Sequence, residues 1–92
     1  MKPLNYVFMS FRDPAINKNL GVCIVIAKNL RNATEISWAK GINPGGEIAG
    51  YNLTDAQFKI ENLELNRLYT REEMLSKGYK TMKVRKQKDE IN

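Results

Sequence analysis

Asn32-Ala-Thr-Glu-Ile-Ser-Trp-Ala-Lys-Gly-Ile-Asn-Pro-Gly-Gly-Glu47 is the stretch that decides the fold. Asn32 offers a helix N-cap, and Glu35, three residues on, completes a capping box. Ala33 and Ile36 follow helical spacing, and Trp38 with Ile42 forms an i,i+4 pair. Gly41 is the expected left-handed residue just past the helix. Ile42 then folds back on the last turn, and Pro44 prevents continuation. Upstream, Gly21 to Ala27 is an unbroken apolar run that reads as a strand covered on both faces, hence central in its sheet. Downstream, Glu47 to Leu53 reads as another strand. Strand, crossover helix and strand give a βαβ unit with the two strands parallel.

Working outward, Tyr6 to Phe11 is aromatic and β-branched and reads as a first strand, antiparallel to the second. Arg12 to Leu20, with Asp13-Pro14 and Asn17-Lys18-Asn19, reads as a nine-residue polar loop. Thr54-Asp-Ala-Gln57 and Thr70-Arg-Glu-Glu73 repeat the capping-box pattern. Tyr69 and Met74 fall at the hydrophobic-staple positions of the second box, and Gly78 marks a stop, so a short helix is expected over 71–77. Residues 58–69 fit neither the helical nor the strand period. The fold class that follows is α+β: a small mixed sheet, a crossover helix and a short C-terminal helix, in one domain over residues 1–79. Residues 80–92 read as a basic, flexible tail.

Composition narrows the chemistry. The chain has 92 residues, one cysteine and no histidine. A domain of this size buries only about 60% of the surface its unfolded chain exposes. No disulfide can form within it, and a zinc site would have to be built from carboxylates. Capping and self-association are the remaining sources of stability, and a homo-oligomer is expected. Histidine-dependent triads and pairs are ruled out, and Walker, dinucleotide-fingerprint and EF-hand patterns are missing. No catalytic residue, metal site or cofactor is therefore assigned. Cys23, flanked by aliphatic residues, reads as an inert core thiol.

The net charge is +5, but +4 of it falls in residues 77–92, leaving the body nearly neutral. That weakens a nucleic-acid footprint on the domain surface and leaves phosphate contact through residues 80–88 as the nucleic-acid reading. The residues after Lys2 break any apolar signal core, and no run spans a bilayer, so a cytoplasmic protein without membrane contact is expected.

Two stretches offer backbone donors to an anion. Lys28, Arg31, Asn32 and Thr34 gather where the second strand meets the helix N-terminus, a place suited to phosphate. Asn43, Gly45 and Gly46 form a glycine-rich turn whose N–H groups can make a nest. Each also reads as an ordinary turn, capped or tight. Trp38 and Tyr51 are candidates for stacking on a base, or for core or subunit contact. Arg67 and Arg71 form a further basic spot at the last helix.

Leu20-Gly-Val22, Ala27-Lys28, Trp38-Ala-Lys-Gly-Ile-Asn-Pro-Gly-Gly-Glu47, Asn66-Arg-Leu68 and Thr70-Arg-Glu-Glu73 resemble a group of small uncharacterised proteins of bacteriophages and bacteria, over residues 6–78. The resemblance makes the Gly-Ile-Asn-Pro-Gly-Gly turn a shared feature and raises a phage origin. By analogy of class and size it implies a host-directed, anti-defence binder. The leading expectation is a sponge that sequesters a phosphate-bearing, nucleotide-type signal at an oligomer interface. The alternatives are a protein-binding inhibitor of a host factor and a nucleic-acid accessory protein acting through its tail.

Overall fold

Among the described residues six elements follow one another: β1 (Asn5–Asp13), β2 (Lys18–Ala27), α1 (Leu30–Ala39), β3 (Glu47–Leu53), α2 (Asp55–Glu61) and α3 (Arg71–Ser76). They come from a computed structural model that describes residues 4–78. The basic tail read at 80–92 lies outside the described residues. The class is α+β, a three-stranded sheet with three helices.

The sheet order is β2-β1-β3, and both pairings are antiparallel. This corrects the expectation of a mixed sheet with the apolar strand at its centre. β2 and β3 do run the same way, but β1 lies between them, so no parallel pair forms. β2 is an edge strand. Its continuous hydrophobicity has another cause: α1 packs on one face, and the 63–69 segment with α3 packs on the other. The covering segment also pairs with the strand's outer edge. Val22 and Tyr69 exchange N–H···O bonds of 2.9 and 2.8 Å, and the Asn66 N–H donates to the Ile24 carbonyl at 2.9 Å. Gly21 permits the approach, since a Cβ there would lie 2.7 Å from the Tyr69 carbonyl oxygen.

The sheet therefore has a core on each side. Val7, Met9, Phe11, Cys23 and Val25 point toward Ala33 of α1. Phe8, Val22, Ile24 and Leu53 point toward Leu63, Tyr69 and Met74. This is the period-two alternation of β1 expressed on two covered faces.

The β1–β2 loop is shorter than expected. The strands run on to Asp13 and from Lys18, leaving residues 14–17, with Asn17 at φ 52°. The register slips after Phe11, which pairs with Gly21 while Arg12 pairs with Asn19. Leu20 is thus the extra residue of a bulge and packs into the α1-side core.

The three helix starts are side-chain capped. α1 begins three residues earlier than the Asn32 cap predicted. Asn29 is the N-cap, and its side chain accepts the Asn32 N–H at 2.8 Å. The earlier start brings Leu30 over Gly50 of β3, where a Cβ would come within 2.7 Å of its Cδ1. The C-terminal end is as expected: Gly41 and Ile42 N–H groups bond the Trp38 and Ser37 carbonyls at 3.1 and 3.0 Å, the Schellman pattern. Both threonine capping boxes form reciprocally, Thr54 with Gln57 and Thr70 with Glu73. Tyr69 and Met74, the staple pair, are both buried. α3 ends at Ser76, one residue short of the expected stop.

The turn into β3 makes a sharp prediction. Gly45 and Gly46 have φ 91° and 79°. A Cβ at Gly45 meets nothing, whereas one at Gly46 runs into the Arg12 carbonyl. Gly45→Ala should lower unfolding stability by ~1–2 kcal/mol from the left-handed backbone alone. Gly46→Ala should lower it by ~3 kcal/mol or more, because backbone overlap adds to strain. Urea denaturation of the two variants checks the order.

Candidate binding site

At the start of α1 the expected phosphate donors are engaged by the chain itself. The Asn32 N–H is held by Asn29, and the Asn32 Oδ1 accepts the Lys28 N–H at 3.0 Å. Thr34 Oγ1 donates to the Leu30 carbonyl at 2.9 Å. Lys28 and Arg31 are exposed, and neither forms an ion pair among the described residues.

The glycine-rich turn is likewise built inward. Ser37 is fully buried on α1, and its hydroxyl donates to the Thr34 carbonyl at 2.7 Å and accepts from Asn43 Nδ2 at 2.9 Å. The Asn43 Oδ1 accepts the Gly45 N–H at 2.8 Å. The turn is thus an Asx turn locked to a buried hydroxyl, and the Gly45 donor does not face solvent. Glu47, the next residue, pairs with Arg12, whose other Nη donates to Asn17 Oδ1 at 2.7 Å. This small network ties the β1–β2 turn to the start of β3.

Trp38 and Tyr51 are both exposed, at 61% and 54%. They are not brought together. Trp38 is on α1, which covers one face of the sheet, whereas Tyr51 stacks on Phe8 of the other face with centroids 5.3 Å apart. Arg67 is engaged: its Nη2 donates to Glu73 Oε2 at 2.7 Å, and its guanidinium lies 4.3 Å from the Tyr69 ring centroid. Arg71 is the half-buried first residue of α3.

A different group of residues forms a concave site. Leu4, Asn5, Tyr6, Ile26, Leu53, Thr54 and Asp55 line an open cleft of about 430 Å³. It lies at the end of the sheet where β1 begins and β2 and β3 end. Register builds it: Tyr6 pairs with Ile26 on one side and Leu53 on the other, so the three side chains form one row. Phe58 of α2 stacks on Tyr6 at 4.1 Å, nearly parallel, and fixes the ring. Leu4, Tyr6, Ile26 and Leu53 supply apolar surface, and Asn5, Thr54 and Asp55 supply polar groups. The Asn5 Nδ2 donates to the Lys28 carbonyl at 3.2 Å, which ties the cleft to the start of α1 and its exposed cations, Lys28 and Arg31. None of the cleft residues stands out in sequence. The single hint is Ile26, 42% exposed inside an otherwise buried run, and only the strand pairing reveals it.

Burial pushes the Cys23 thiol up to about 11, so at neutral pH it is protonated and shielded. Among the described residues no group of three His, Cys, Asp or Glu converges as a metal site, and no helix is long and apolar enough to cross a membrane. The chain matches no protein-family model, no curated protein and no solved structure.

Two outcomes follow. Cys23 should resist thiol reagents in the native protein at pH 8 and react stoichiometrically in denaturant; native labelling at the free-thiol rate would show the strand opening. Glu73 is held below the usual carboxylate range, first by the Thr70 N–H and then by Arg67. A lowered folded value means that its contribution is present above the unfolded value, roughly 4.3, and is lost as pH falls through the folded one. The wild type should therefore lose more stability between pH 6 and 3 than Glu73→Gln, as read by urea midpoints.

Proposed function

We propose that this protein is a non-enzymatic binding domain that takes a nucleotide-type small molecule into the cleft, with its phosphate toward Lys28 and Arg31. The observation that carries the reading is the cleft itself. Its volume lies within the roughly 300–1,000 Å³ of small-molecule sites, and polar and apolar groups share its lining, so it offers both an apolar face and hydrogen-bond partners. Tyr6, Ile26 and Leu53 suit the face of a base. Asn5 and Thr54 suit its polar edge, and the Asp55 carboxylate suits a hydroxyl or amine donor. Lys28 directly follows the strand residue that pairs with Asn5, at the same end of the sheet. In this reading the phosphate is met by side-chain cations, because the Asn32 and Gly45 N–H groups already donate within the chain.

Sequestration of a nucleotide signal, the sponge activity that the phage resemblance suggests, is the biological role proposed. It requires no reactive side chain, and Cys23 offers none. A second reading, a protein-binding inhibitor, draws on the exposed Trp38 and on Ile60, which is 78% exposed on α2.

Thermal-shift and calorimetric titration with mono-, di- and cyclic nucleotides separate the two. Ligand at a hundred times its Kd adds ~2.7 kcal/mol, which raises the melting temperature of a domain this size by on the order of 10 °C. Lys28→Ala with Arg31→Ala should weaken a phosphate-bearing ligand at least tenfold without altering the circular dichroism spectrum. Ile26→Asp should abolish binding. No shift with any nucleotide at millimolar concentration would sink the reading and leave the protein-binding one.

A further inference from the structure

We propose that the outer edge of β3 is a self-association edge, on which two copies of this chain pair antiparallel about Gly50 into one six-stranded sheet. This goes beyond the cleft and is independent of it. The two edges of the sheet are treated differently. The β2 edge is closed by the Asn66 and Tyr69 backbone. Among the described residues the β3 backbone pairs only with β1, which leaves alternate N–H and C=O groups of its outer edge without a ladder.

The strand also lacks the usual protections of an exposed edge. Glu47-Ile-Ala-Gly-Tyr-Asn-Leu53 contains no lysine and no proline, and its seven pairs with β1 are in unbroken register, so no bulge bends it away. Its one charge, Glu47, is already drawn to Arg12.

The strand is self-complementary about its midpoint. With Gly50 facing the partner's Gly50, each Tyr51 lies opposite the partner's Ala49, a large side chain over a small one, twice by symmetry. Ile48 faces the partner's Asn52, and Glu47 faces the partner's Leu53, so no like charges meet. Residues 1–76 hold nine basic and eight acidic side chains, so the domain body adds little repulsion between copies, and most of the net +5 falls in residues 77–92. A second copy thus satisfies the edge from one patch.

Size sets the strength. Seven residues span ~24 Å of strand and make up roughly a third of the 20–30 residues per side of a standard interface. The dimer is therefore weak, with association in the high-micromolar range.

Sedimentation equilibrium of the full chain from about 10 μM to 1 mM, with amide exchange at both ends of that range, tests the pairing. The expected result is a mass rising from one copy toward two, with alternate β3 amides gaining protection as it does. Ala49→Lys, at an exposed position beside the two-fold axis, should weaken association at least tenfold. Ala56→Lys, the same change at an exposed position on α2, should associate as the wild type does. A wild-type chain that stays monomeric at 1 mM overturns the proposal. So does an Ala49→Lys chain that associates normally, or a monomer whose β3 amides are protected at every concentration, meaning that the edge is covered from within the chain. The wild-type mass and exchange data decide the matter even if the lysine variant fails to fold.

Discussion

Tyr69 is the point on which the C-terminal half of the molecule turns. Its backbone exchanges two hydrogen bonds with Val22, and its phenol oxygen accepts the Glu64 N–H at 2.8 Å. Its ring lies beneath Arg67 and within 5.7 Å of the Lys77 ammonium, and it packs in the same buried cluster as Met74. One residue thus joins a strand edge, a loop and a helix start. Without it, the segment after α2 would keep only the Asn66–Ile24 bond to β2, and cover over that face of the strand would rest on Leu63 and Met74. A buried polar backbone needs such a partner, since an unpaired buried donor costs about 1–3 kcal/mol.

That attachment makes the sheet asymmetric. β2 is covered on two faces and one edge, and within its apolar run only Ile26, at the cleft, is exposed. β3 receives far less cover: Glu47, Ala49, Tyr51 and Asn52 are exposed, and only Leu53 is buried. The two surfaces proposed for recognition lie on parts of the sheet that this attachment leaves uncovered. The cleft forms where the far ends of all three strands meet, and the edge with no strand partner among the described residues lies along β3. Both follow from where the chain spends its buried surface, which is scarce in a domain of this size.

The glycine-rich turn, by contrast, is architectural. Its asparagine, its glycines and the following glutamate each have a partner inside the chain: Ser37 for Asn43, the Arg12 carbonyl against Gly46, and the Arg12 guanidinium for Glu47. A turn so constrained sets the angle at which α1 hands over to β3. A fixed handover places Leu30 against Gly50 and leaves Trp38 in solvent.

Local chemistry was readable from the residues alone. The Thr54 and Thr70 capping boxes, the Tyr69–Met74 staple, the Schellman end at Gly41 and the inert Cys23 all rest on neighbours a few positions apart, so spacing suffices to specify them. The same spacing argument misplaced the α1 cap by one turn, because Asn29 and Asn32 are both competent acceptors and only the seat for Leu30 on β3 distinguishes them. Strand order lay beyond the sequence. An unbroken apolar run records that two faces are covered, not that two edges are paired, and β2 is covered by helices and a loop rather than flanked by strands. The cleft depends on the same non-local fact: Tyr6, Ile26 and Leu53 lie far apart in the chain and become neighbours only through the register of β1 with both partners. The amino-acid order settled the two threonine caps and the Gly41 helix end, since those contacts are short-range. Tertiary packing settled which edge is sealed, which is open and where a hollow remains, since those depend on chain segments that meet only after folding.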